Sequence, residues 1–85
     1  MKVAFTPPFR KDYQGLPTGI QEQIDAQITR LLENPRHPSL RCKKMEGRAA
    51  IWEARVTKGY RLTFEIVDDV YLLRRVGTHA VLKKP

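Results

Sequence analysis

The sequence predicts an α+β fold: two N-terminal helices packed on one face of a mostly antiparallel sheet of about four strands. Three observations carry this expectation. Aliphatic residues recur at helical spacing as far as Leu32, the hydrophobic period then changes to two, and the dipeptides Lys58-Gly59 and Asp68-Asp69 join the period-two segments as tight turns. Helices followed by hairpin-joined strands place the helices on one side of an antiparallel sheet. The 85 residues are read as one domain, 1–85, with a modest core.

Taken in order, Lys2–Thr6 reads as a short strand that Pro7-Pro8 ends, and Pro8 suits the first turn of a helix. Phe9 and Tyr13 lie four apart, on one face of a short helix ending near Gly15. Pro17 suits a second helix start. There Ile20, Ile24, Ile28, Leu31 and Leu32 form one stripe, Gln21, Glu22, Gln23, Asp25 and Arg30 take the other faces, and Asn34-Pro35 ends the run. The stripe is read as core. Leu40–Met45 is a weaker strand candidate leading into Gly47. Ile51–Thr57 alternates, with Trp52, Ala54 and Val56 on one face and Glu53, Arg55 and Thr57 on the other. Tyr60–Ile66 alternates likewise, and Val70–Val76 is apolar enough to be a central strand. Trp52, Tyr60, Leu62 and Phe64 are expected to face the helix stripe.

Composition narrows the function. At 41% hydrophobic and 29% charged the chain is too apolar to be a disordered tail. No apolar run is long enough to span a membrane, and Met1–Phe5 has no secretion-signal stretch. A lone Cys42 and no metal-type Cys/His spacing fit a reducing cytoplasm, with no cofactor expected. The net charge of +7 is uneven: charges cancel over 1–35. Residues 36–61 carry Arg36, Arg41, Lys43, Lys44, Arg48, Arg55, Lys58 and Arg61 against only Glu46 and Glu53. A positive field concentrated in one block attracts a polyanion; the plainer alternative is a solubilising surface.

If the helices cover the apolar face of the sheet, Glu53, Arg55 and Arg61 lie on the other, open face. Arg41, Lys43 and Lys44 come from the adjacent segment, and His79 follows the last strand. Individually these are ordinary solvent-side strand residues that neutralise cross-strand neighbours. Together they match RNA cleavage, which needs the 2′-hydroxyl deprotonated, the phosphate neutralised and the leaving 5′-oxygen protonated. Arginine pairs bidentately with phosphate and keeps its charge. Asp68-Asp69 is the only acidic pair, and a turn explains it, so the chemistry is expected to be metal-independent.

The segments Leu31-Leu32-Glu33-Asn34-Pro35, His37-Pro38-Ser39-Leu40, Lys44-Met45-Glu46-Gly47, Ile51–Val56, Gly59–Phe64 and Val76-Gly77-Thr78-His79 resemble the successive signatures of the RelE/ParE toxin superfamily. The resemblance implies a microbial-RNase-like fold and a toxin of a type II toxin–antitoxin system. Such a toxin is a ribosome-dependent endoribonuclease that cuts mRNA and is restrained by an acidic antitoxin that folds on binding. It implies that Arg61 contacts the scissile phosphate, that Glu53 and Arg55 occupy positions basic in many relatives, and that Glu53 and His79 match the carboxylate base and histidine acid of others. Arg41, Lys43, Lys44, Arg48 and Lys58 are the matching candidates for RNA contacts. Many active members end with a tyrosine that stacks on the base; here the tail reads Ala80–Pro85. Two other readings stay open: a ParE-like DNA gyrase inhibitor, and a catalytically weak toxin that binds only ribosome or antitoxin.

Overall fold

The computed structural model describes residues 1–47 and 50–85. Its elements are β1 (Lys2–Phe5), α1 (Pro7–Gln14), α2 (Thr18–Glu33), β2 (Lys43–Lys44), β3 (Trp52–Thr57), β4 (Tyr60–Val67), β5 (Val70–Gly77) and a short 3₁₀ helix, His79–Leu82. The sheet has five strands in the order β1-β5-β4-β3-β2, not about four. The two shortest strands are the edges. Lys2–Phe5 joins in parallel beside β5, and the weak Leu40–Met45 segment pairs only through Lys43 and Lys44. The β2–β5 pairings are antiparallel, as the turn signals require.

The local chemistry explains the helices. Thr6 caps α1, its hydroxyl oxygen accepting from the Phe9 amide at 3.2 Å, and Pro7-Pro8 occupies the first turn, where no amide donor is needed. Pro17 precedes α2, and the chain leaves that helix in extended conformation at Asn34, just before Pro35.

The core lies between the helices and one face of the sheet. Phe9, Ile24 and Leu31 meet Ala54, Val56, Leu62, Phe64, Tyr71, Leu73 and Val76, with Leu40 sealing one side. Trp52 and Tyr60 are half-buried against this cluster, and Trp52 stacks on Phe64 with ring centroids 6.3 Å apart. Two residues leave the expected stripes: Leu32 is 38% exposed and Ile66 is 47% exposed. The core position beside Leu31 goes instead to Gln27, only 3% exposed.

Two β-bulges shape the sheet. Between Arg55 and Thr57 the β3 strand carries Val56 as an extra residue against β4, and between Leu73 and Arg75 the β5 strand carries Arg74. The second bulge is tied down from α1. The Thr6 hydroxyl contacts the Leu73 and Arg74 carbonyls, both at 3.0 Å, and the Asp12 carboxylate accepts from the Val76 amide at 3.1 Å and from Arg75 Nε at 2.6 Å. Its hydrogen bond to the Asp12 carboxylate raises the Arg75 pKa above its ordinary value.

Candidate functional site

The face away from the helices is not wholly open, contrary to the expectation from alternation alone. The 3₁₀ helix packs across β4 and β5, with Val81 buried. It can lie close because Gly77 has no side chain: a Cβ there would stand 2.8 Å from Val81 Cγ1. Thr63, expected on the solvent side, is fully buried, and its hydroxyl has no partner among the described residues. Pro85 is buried as well, its carbonyl accepting from Arg74 Nε at 3.0 Å, while Arg74 Nη1 pairs with Glu65 at 2.7 Å.

Beyond this cover, across β2, β3 and the start of β4, the face is open. There Arg41, Lys43, Glu53, Arg55 and Arg61 line one cleft of ≈ 250 Å³. Strand register builds it: Lys43 lies opposite Glu53, and Arg55 opposite Arg61. Four cations surround one carboxylate, and among the described residues Glu53 makes no ion pair within 4.0 Å. Arg55 is fixed through its backbone, since its amide donates to the Leu40 carbonyl at 2.7 Å and its carbonyl accepts from Gln27 Nε2 at 2.7 Å. Arg41 has φ 45°, the left-handed region that a side chain rarely adopts.

Arg61 departs from the expected free guanidinium. Its Nη1 donates to the carbonyls of Thr57 (2.7 Å), Tyr60 (2.9 Å) and Lys58 (3.3 Å), bracing the β3–β4 turn. Among the described residues its Nε and Nη2 make no hydrogen bond.

The other expected residues spread out. Lys44 lies opposite Trp52, so the pleat sends it to the other face from Lys43. Lys58 is exposed at the hairpin turn. His79 is exposed at the start of the 3₁₀ helix; it stands two residues past Gly77, the β5 partner of Arg61, but does not line the cleft. Arg48 lies outside the described residues.

Sequence reasoning missed a second group beside the cleft. Gln23, Gln27, Arg30, His37, Ser39, Arg41 and Arg55 line a polar hollow of ≈ 650 Å³ that shares Arg41 and Arg55 with the cleft. The available signal was Gln27 itself, a polar residue inside the α2 stripe. An apolar groove of ≈ 500 Å³ opens on the helix side, with Trp52, Phe64, Ile66 and Tyr71 among its walls and Arg36, His37 and Arg41 beside them.

The arrangement of two helices against a five-strand sheet is shared with solved toxin structures. The chain is similar to the toxin in the RelB–RelE antitoxin–toxin complex of Methanococcus jannaschii, with 23% identity, 94% of each chain covered and a TM-score of 0.75. It is similar to the YoeB/ParE toxin from Agrobacterium tumefaciens, with 20% identity, 93% of this chain and 99% of that one covered, and a TM-score of 0.79. The E. coli DinJ–YafQ toxin–antitoxin complex matches at 19% identity over 95% and 94% of the two chains, with a TM-score of 0.78. No curated protein matches by sequence. The family model for the ParE toxin of type II toxin–antitoxin systems, parDE, matches residues 3–82, and the chain belongs to that family.

Proposed function

We propose that the chain acts in the cytoplasm as a ribosome-dependent endoribonuclease, cutting mRNA with its own side chains and held in check by an antitoxin. The observation that carries this reading is the single cleft holding Arg41, Lys43, Glu53, Arg55 and Arg61. The cations neutralise the scissile phosphate, with Arg61 aimed from a braced turn and Arg55 from a strand pinned on both sides. Glu53 takes the proton from the 2′-hydroxyl as that oxygen attacks phosphorus. The bond to the 5′-oxygen breaks, and His79, exposed at the same end of the sheet, donates the proton that the leaving oxygen needs. The products are a 2′,3′-cyclic phosphate and a 5′-hydroxyl.

Charge supports the larger partners. A chain of +7 meets ribosomal RNA through many phosphate contacts. The apolar groove, with Arg36 and Arg41 beside it and Ile66 and Val67 exposed nearby, suits an acidic amphipathic segment of an antitoxin that folds on binding.

Gyrase inhibition is the second reading. It is favoured by the family's ParE description and by the engagement of Arg61 Nη1 within its own hairpin. Purified chain added to programmed ribosomes should give discrete primer-extension stops on the mRNA and leave gyrase supercoiling unaffected. Intact mRNA together with stalled gyrase would replace the nuclease reading with the inhibitor.

A further inference from the structure

We infer that the polar hollow beside the cleft is a second nucleotide subsite, taking the phosphate and sugar next to the scissile position on a single RNA strand. The inference rests on the RNA reading above. Its first support is continuity: Arg41 and Arg55 form the wall between the hollow and the cleft, so a strand whose phosphate lies among Arg55, Arg61 and Lys43 runs directly into the hollow. At ≈ 650 Å³ the hollow falls within the ~300–1,000 Å³ of small-ligand sites.

The second support is that its side chains are held in place. Arg30 Nη1 donates to Gln27 Oε1 at 2.8 Å, which fixes one edge of the guanidinium, and among the described residues the other edge makes no hydrogen bond. Gln27 is buried and bridges the wall, its Nε2 donating to the carbonyls of Arg55 (2.7 Å) and Ser39 (3.3 Å). His37 Nδ1 lies 3.2 Å from the Ser39 amide, which can only donate, so Nδ1 accepts. In the neutral ring the proton then sits on Nε2, and the imidazole is a donor to an anion. Arg41 adds the third observation, since a left-handed arginine at the shared wall is an unfavourable backbone state of the kind that collects at ligand sites. Three guanidinium groups and a donor imidazole line this hollow, with no acidic side chain among the described residues, which matches a phosphodiester.

The test measures binding of a 2′-O-methyl oligoribonucleotide, which cannot be cut, as a function of salt. Each phosphate contact to single strands contributes about 0.7 to the slope of log K against log salt. Arg30→Gln should therefore lower that slope by about 0.7, the value for one lost contact. Gln23→Glu, an exposed change on α2 that leaves the core intact, should weaken binding roughly 2- to 5-fold, the scale of one partly exposed charge contact. Gln14→Glu makes the same charge change outside the hollow and should bind as wild type does. Lys43→Gln reports the cleft alone. If Lys43→Gln lowers the slope while Arg30→Gln and Gln23→Glu do not, the hollow is no subsite and the RNA reading stands. If the wild-type chain binds no RNA even at low salt, the subsite is overturned, and the nuclease reading stands or falls on mRNA cutting with programmed ribosomes.

Discussion

The side of the sheet turned away from the helices is two different surfaces. Across β4 and β5 it is roofed by the 3₁₀ segment, with Thr63 sealed beneath and Val81 seated over Gly77. Across β2, β3 and the start of β4 it is open and basic. β3 in the open half and β4 beneath the roof show the same alternation of polar and apolar residues. Alternation therefore tells which side of a strand a residue takes, while a distant segment decides whether that side meets water. On this account the roofed half serves stability and the open half serves ligand binding, and substitutions in the two should separate cleanly.

The reference for both halves is the helix-covered core. Phe64→Ala removes a ring buried between Trp52 and Tyr71, and should cost ~3–5 kcal/mol in a denaturant titration, the range for such truncations. In the roofed half, Gly77→Ala forces a Cβ against Val81, and overpacking of this kind costs ~1–3 kcal/mol. RNA affinity should hold in that variant wherever it is folded. An unchanged melting temperature would mean that the roof is loosely seated. Thr63→Val swaps a buried, unpartnered hydroxyl for a methyl and should raise stability by about 1 kcal/mol. A loss of stability would show that the hydroxyl has a partner in solution.

The smallest effect appears only in alkali. Burial, then the nearby Cys42 and Asp69 charges, raises the Tyr71 hydroxyl above its ordinary 10.0. A raised folded value means a contribution to stability that is complete below pH 10.0 and lost as pH climbs through the folded value. Tyr71→Phe should flatten that alkaline loss, and equal slopes in the two proteins would contradict the assignment.

What the sequence revealed follows from periodicity. The α2 stripe, both hairpin turns and the orientation of Glu53, Arg55 and Arg61 were legible because each depends on spacing alone. The bulges at Val56 and Arg74 were not, since an inserted residue leaves no mark until its partner strand is known. Asp12 gave no sign that it would satisfy the Val76 amide across the fold. Lys43 and Lys44 look alike in a charge count, yet a two-residue strand sends them to opposite faces. The turn-bracing bonds of Arg61 were hidden for a different reason: they run to carbonyls of its own hairpin, and every residue has a carbonyl.

Those bonds bear on the central claim, because they give Arg61 a part in stability as well as in the cleft. Losing them should cost about 1 kcal/mol, the usual net value of hydrogen bonding at a partly exposed site. Losing a preorganised donor at the scissile phosphate should cost ~10²–10³ in rate. The most direct test is therefore the single-turnover rate of mRNA cutting on programmed ribosomes for wild type, Arg61→Lys and Arg61→Ala, each shown folded by circular dichroism. The account predicts a fall of ~10²–10³ for the alanine variant, with lysine recovering part of it because a point charge cannot reproduce the guanidinium fork. Wild-type rates in folded Arg61→Ala would contradict it.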